Sequence, residues 1–348
     1  MITELADTSV STNDIAVVIY QMYKDFHVYT SEKRWYIFEN HRWHIDDGGI
    51  YLLRKIGNQS TLMKELSTLF YKDSDWKLDM NPMLIGFENG VYDLENHIFR
   101  EGQPDDLISL STGKNYTEEI PDNISTEIDQ FLSEIFPNSD DKHYILKLMA
   151  SFLKGIPDEK LYILTGSSSN GKSTLLELLE LSLGDYACKL SSNILHKRYN
   201  AYHPELARTN NMRIVSIQEP DEETEINLGT IKELTGTNIT CHQLYSNGNS
   251  FNFRPQFKLL MMCSNLSNLK IQTGDEGTRN GCIIIKFVSR FINNPVEINE
   301  YKRDDNMSAK IGIWSNYFIN ILLRYSNEEL TPSKNIIKAT EEFLNFKL

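Results

Sequence analysis

Apolar residues change their spacing several times along the chain, and each change predicts an element. Ile15 to Tyr23 has helical spacing. Arg34-Trp-Tyr-Ile-Phe and His41-Arg-Trp-His-Ile alternate on either side of Glu39-Asn40 and predict two short strands around a turn. Ile50 to Phe70 returns to helical spacing. Met83-Leu-Ile-Gly-Phe and Gly90-Val-Tyr-Asp-Leu flank Glu88-Asn89-Gly90, the signal of a hairpin. The stretch 113–123 is polar and predicts a connector. Ser125 to Lys154 is helical, with an interruption at Pro137-Asn-Ser-Asp140. From Asp158 onward apolar strands alternate with helices in the α/β manner. Ile311 to Leu323 predicts one amphipathic helix, packed as core or lid. The pattern divides the chain into a mixed α+β region (1–112), a connector with a helical collar (113–157), an α/β core (158–290) and a C-terminal helical segment (291–348).

Composition narrows the function classes. The 348 residues carry 35 Lys and Arg against 48 Asp and Glu, a formal net charge of −13. That balance argues against coating DNA with the whole surface, yet it leaves room for a strand held in a local basic channel. No window is apolar enough to predict a membrane span. The first fourteen residues hold acids and no apolar run, so no secretory signal is expected. Cys188, Cys241, Cys263 and Cys282 are far apart with no C-x-x-C pair, which predicts an intracellular, reducing compartment. His41 and His44 have no cysteine or further ligand nearby and are expected to pack or face solvent.

The sharpest motif is Gly166-Ser167-Ser168-Ser169-Asn170-Gly171-Lys172-Ser173, followed by Thr174. It fits G-x-x-x-x-G-K-[ST] between a predicted strand, Leu161 to Thr165, and a predicted helix. Glycines at both ends let backbone N–H groups wrap phosphates. The helix N-terminus adds unpaired donors and partial positive charge. Lys172 is expected to reach the β- and γ-phosphates, and the Ser173 hydroxyl to help hold Mg²⁺. The expected ligands are therefore ATP and Mg²⁺.

Three later positions extend this chemistry. The strand Met212-Arg-Ile-Val-Ser-Ile-Gln-Glu219 ends in a carboxylate suited to hold Mg²⁺ through water and to orient an attacking water. The strand Phe257 to Asn265 ends in an amide suited to sense the γ-phosphate. Arg279, in a glycine-rich loop before the strand Cys282 to Phe287, is placed to act as an arginine finger on a neighbouring subunit. Asn247-Gly248 between Ile239–Tyr245 and Ser250–Phe253 predicts a second hairpin, with Lys232, His242 and Arg254 as candidate phosphate contacts to a nucleic-acid strand.

The order of these motifs resembles superfamily III helicases: the phosphate loop, Ile217-Gln-Glu219, Ile231-Lys-Glu-Leu-Thr-Gly236, Leu244-Tyr245, Ser264-Asn265 and Thr278-Arg279. It is most similar to the poxvirus-type primase–helicases of large DNA viruses. Leu84-Ile-Gly-Phe-Glu-Asn-Gly-Val-Tyr-Asp-Leu94, Arg100 and Pro104-Asp-Asp106 resemble the domain that precedes the helicase there. The resemblance implies an AAA+-like core, a homohexameric ring, and ATP- and Mg²⁺-driven movement on single-stranded DNA in replication. It implies roles for Lys172 and Ser173 with nucleotide and metal, Glu219 as the acid, Asn265 as the sensor and Arg279 as the finger in trans. A viral replication site or host cytoplasm is the implied location. The chain departs from the family pattern at Gln218, at Thr237-Asn238, at His242 and at Asn280. No primase module is expected before Trp35, so primer synthesis is expected from a primase or polymerase on another chain. The competing readings are an ATP-dependent assembly or loading factor that unwinds nothing, and an inactive DNA-binding remnant.

Overall fold

The computed structural model describes residues 11–56, 60–195, 204–217, 225–236, 238–242, 250–272 and 281–347. The chain divides into two compact units, residues 1–110 and 111–348.

In the first unit, helix α1 (Thr12–Tyr23) begins at a capping box in which Ser11 and Asp14 bond reciprocally. Strands β1 (His27–Thr30), β2 (Trp35–Glu39) and β3 (Arg42–Asp46) follow. The predicted Glu39-Asn40 turn is present, and Glu39 pairs with Arg42 across it. The predicted helical stretch 50–70 becomes two helices, α2 (Ile50–Ile56) and α3 (Ser60–Leu69). The short β4 (Tyr71–Lys72) completes a sheet of order β3-β2-β1-β4. Its core gathers Ala16, Ile19, Trp35, Leu52, Leu62, Leu66 and Phe70. The second predicted hairpin is β5 (Leu84–Phe87) and β6 (Gly90–Asp93), joined by β7 (Ile98–Arg100) in a three-stranded sheet. His41 Nδ1 accepts from the Gly102 N–H at 3.3 Å, and His44 Nε2 meets the Glu39 carbonyl at 3.2 Å. Both rings thus serve the fold.

The second unit opens with two collar helices, α4 (Asp122–Ile135) and α5 (Ser139–Ser151), separated where Pro137 and Asn138 interrupt the pattern. Asn138 caps α5 by accepting from Asp140 and Asp141. Beyond them lies a five-stranded, wholly parallel sheet. Its strands are β8 (Leu161–Thr165), β9 (Ala187–Leu190), β10 (Ile214–Ile217), β14 (Lys258–Cys263) and β16 (Cys282–Lys286), with helix α6 (Lys172–Leu183) after β8. The intervening elements are β11 (Glu225–Asn227), α7 (Leu228–Gly236), the hairpin β12 (Ile239–His242) and β13 (Ser250–Phe253), and β15 (Lys270–Gln272). The spatial order is β16-β8-β14-β10-β9. Counted by chain position within the sheet, that is 5-1-4-3-2, the AAA+-like arrangement. The strand bearing the phosphate loop sits beside two strands that arrive more than ninety residues later. β8 and β10 are buried along their whole length, as strands covered on both faces must be. After β17 (Arg290–Ile292) and β18 (Glu300–Lys302) come the C-terminal helices.

The predicted single helix over Ile311 to Leu323 is two: Met307–Trp314 and Phe318–Leu323. The break has a local cause. Ser315 Oγ donates to the Gly312 carbonyl, and Asn316 Nδ2 bonds the Gly312 and Ile313 carbonyls. These side chains take acceptors that a continuous helix needs. A last helix, Lys334–Lys347, packs along β16, with the Thr340 hydroxyl accepting from the Ile284 N–H at 3.0 Å. Among the described residues no helix is long and apolar enough to cross a membrane.

All four cysteines are buried, and none forms a disulfide. Burial pushes the Cys282 thiol up to about 12, and raises Cys188 as well. The reactive species is the thiolate. A thiol reagent at pH 8 is therefore expected to label the folded protein no faster than it unfolds. Stoichiometric labelling within the mixing time, on protein with an intact unfolding transition, would contradict this packing.

Candidate nucleotide site

The loop between β8 and α6 lies at the carboxyl ends of the parallel strands, where open α/β sheets bind ligands. Two glycines shape it. Gly166 has φ of 141°, and a Cβ there would lie 2.5 Å from both the Phe287 carbonyl oxygen and Asn170 Nδ2. Gly171 has φ of 87°, and its Cβ would meet the Ile135 side chain at 2.9 Å. A side chain at either position demands movement of backbone or core, so the close approach requires glycine.

The loop is held from three directions. Phe287 N–H donates to the Thr165 carbonyl at 2.8 Å, and Phe291 N–H to the Ser169 carbonyl at 2.7 Å. Asn170, only 2% exposed, reaches the Phe287 carbonyl with Nδ2 and accepts the Lys172 N–H at 3.3 Å with Oδ1. Ser289 Oγ donates to the Glu134 carbonyl at 2.6 Å and ties the same segment to the collar. Helix α6 is fixed on the sheet through Glu180, which accepts from Ser216 Oγ at 2.6 Å and pairs with Lys189 at 2.8 Å.

Lys172 is 7% exposed at the first position of α6. Its ammonium donates to the carbonyls of Gly166 at 2.5 Å and Ser167 at 2.9 Å, and to Asn170 Oδ1 at 3.0 Å. Three oxygens thus surround one cation inside the loop. Gly171, the N-cap, has no side chain to cap the first turn of α6, so the helix begins with backbone donors for an anion. Ser167, Ser168, Ser169 and Ser173 are exposed, and Thr174 is half-buried.

Asn265 follows β14, the strand next to β8, with Cys263 in register with Thr165. The sheet therefore brings the amide to the same edge as the phosphate loop. Asn265 Oδ1 accepts from the Ser267 N–H at 3.0 Å and from Ser267 Oγ at 2.7 Å. Glu219 and Arg279 lie outside the described residues. Lys232 is half-buried in α7, and Arg254 is exposed just after β13. His242 ends β12, and its side chain is outside the described set.

A cavity of about 350 Å³ opens beside the loop. Ser169, Gly171, Thr174 and Glu177 form one wall. Phe131 of the collar, Phe291 of β17, and Met307 and Ile311 of the first C-terminal helix supply an apolar side. Sequence reasoning missed these residues. They stand far from the motif in the chain, and no spacing or residue type marks them; only the β17–β18 pair and the collar bring them to the loop.

Residues 53–137 match the family described as D5 N terminal like. A protein of Acanthamoeba polyphaga mimivirus named "putative helicase" is 32% identical over 90% of this chain. Primase D5 of Fowlpox virus is 26% identical over 77% of it. The chain belongs to the D5-type primase–helicase family of large DNA viruses. It spans 39% of the length of the mimivirus relative and 36% of the fowlpox one. In fold, the chain is similar to the apo C-terminal region of NrS-1, which covers 97% of this chain and is itself covered over 76%, with a TM-score of 0.59 at 11% identity.

Proposed function

We propose that this chain is the ATP-hydrolysing motor of a superfamily III-type replicative DNA helicase, working as a homohexameric ring on single-stranded DNA. The observation that carries the reading is Lys172: a buried ammonium ringed by loop oxygens at the start of a helix whose N-cap is a glycine, directly after β8, which lies between β16 and β14 in a 5-1-4-3-2 sheet. The helicase and primase names of the relatives support the replicative role.

The residues fit a magnesium nucleotide. The glycine-shaped loop leaves its N–H groups to the α- and β-phosphates, and Lys172 shifts its donors from loop carbonyls to the β- and γ-oxygens. Ser173 and Glu219 are the ligands proposed for Mg²⁺, which when bound neutralises phosphate charge. Glu219 positions the attacking water, and Asn265 offers its Nδ2 donor to the γ-phosphate side. Arg279 from the neighbouring protomer neutralises charge in the transition state. The hairpin β12–β13, with Lys232, His242 and Arg254 near it, is the proposed contact to DNA.

The apolar side of the cavity suits a purine. Stacking on an aromatic ring contributes about 1–3 kcal/mol. Phe291→Ala is therefore expected to raise the ATP KM by about tenfold while saturating turnover changes little, as a uniform binding contact should. The reading is tested by steady-state phosphate release with and without single-stranded DNA, alongside strand displacement. DNA-stimulated turnover with unwinding supports the helicase. ATP-dependent partner binding without either supports the loading factor.

A further inference from the structure

The cavity beside the phosphate loop is also lined by Arg303, a cation of the same chain. Its backbone is fixed, because the main-chain N–H of Arg303 donates to the Ile292 carbonyl at 3.0 Å and so extends the β17–β18 pair. Its head is not. Among the described residues the guanidinium has one ion pair, a 3.8 Å approach to Asp305, with Arg303 66% and Asp305 91% exposed. The neighbouring charges differ. Asp304 holds Lys310 at 2.7 Å and accepts the Asn306 N–H, which keeps its carboxyl below the usual range. Lys310 is thereby committed to Asp304, while Arg303 is anchored at its base and open at its tip.

The position has a consequence. Phe291, on the strand paired with β18, bonds the phosphate loop directly at Ser169. Arg303 follows β18 and faces the same cavity as Ser169, Gly171 and Thr174. Thr174 lies just beyond the Lys-Ser pair assigned to the β- and γ-phosphates and the metal, in a loop whose N–H groups serve the α- and β-phosphates. A planar guanidinium suits bidentate binding of phosphate oxygens. Resting on the proposed nucleotide site, we infer that Arg303 binds the α-phosphate in cis, clasping the nucleotide between the phosphate loop and the segment leading into the helix Met307–Trp314. That helix is seated on the collar: Trp314 packs on Phe131 with ring centroids 5.4 Å apart and donates to Glu127 at 3.1 Å. Closure of Arg303 onto the nucleotide links collar and loop.

The α-phosphate does not react, so the contact is equally strong in ground and transition states and acts on affinity alone. The test measures, on the full chain, dissociation constants for adenosine, ADP and ATP, and kcat at saturating ATP, for the unmodified protein and for Lys172→Ala, Arg303→Ala, Arg303→Lys and Arg303→Gln. Arg303→Ala is expected to weaken ADP and ATP alike by roughly 10- to 100-fold, the range of a charge-assisted hydrogen bond. Adenosine affinity and kcat should stay within about twofold, and Arg303→Lys should recover part of the loss. The exposed side chain makes an unchanged unfolding midpoint the expectation, and Arg303→Gln supplies the reading if the alanine variant is less stable. Unchanged ADP and ATP affinity overturns the inference. So does an equal loss for adenosine, which would place the guanidinium on the base, and so does a loss confined to kcat. If the unmodified protein binds neither ADP nor ATP, the nucleotide site itself is wrong, independently of Arg303.

Discussion

Lys172→Ala is expected to lower ATP turnover by about 10³-fold or more, with the chain still folded. Two losses combine. The substitution removes the cation that neutralises charge on the β- and γ-phosphates, where a single preorganised donor is worth about 10²–10³ in rate. It also removes the donor that gathers the oxygens of Gly166, Ser167 and Asn170 at 2.5 to 3.0 Å. Lys172→Arg should recover little. The site is 7% exposed, and a planar head cannot take the place of a compact ammonium among three converging oxygens. Phosphate release checks the prediction, with the unfolding midpoint as control. Turnover within about tenfold of the unmodified protein would remove Lys172 from the chemistry.

Arg279→Ala is expected to be nearly as damaging, since an arginine finger is worth about 10³–10⁵ in kcat. Its distinguishing result comes from mixing. In a ring of heterologous interfaces, each site takes Lys172 from one protomer and Arg279 from the next. A random equal mixture of Lys172→Ala and Arg279→Ala chains restores both groups at about one interface in four. Turnover near that fraction, from two proteins that are each inactive, is the expected outcome. Strictly additive inactivity, in a mixture shown to exchange subunits, would place Arg279 elsewhere.

The parts legible in the sequence are those whose determinants are local. The phosphate loop is a run of eight residues whose glycines satisfy backbone angles close by, and the strand and helix on either side carry their own periodicity. The hairpins at Glu39-Asn40 and at Glu88-Asn89 follow from turn chemistry. The break at Ser315-Asn316 was hidden because apolar spacing continues through it; side-chain competition for carbonyls, not hydrophobicity, divides the helix. The cavity wall was hidden for another reason. Phe131 reaches the loop from the collar, and Phe291 and Arg303 from more than a hundred residues further on, through tertiary packing that nothing in their immediate neighbours records. Asn265 stands between: its strand is apparent in the sequence, but its place beside β8 depends on the 5-1-4-3-2 order, which only the folded sheet reveals.

The central claim is that ATP held at the loop 166–173 is cleaved in a ring that moves on DNA. The most direct measurement is ATP turnover with and without single-stranded DNA, with particle mass determined in the same buffer. The account predicts magnesium-dependent turnover, raised by DNA, from a particle of about six chains. A folded monomer that hydrolyses no ATP with magnesium and DNA present would contradict it.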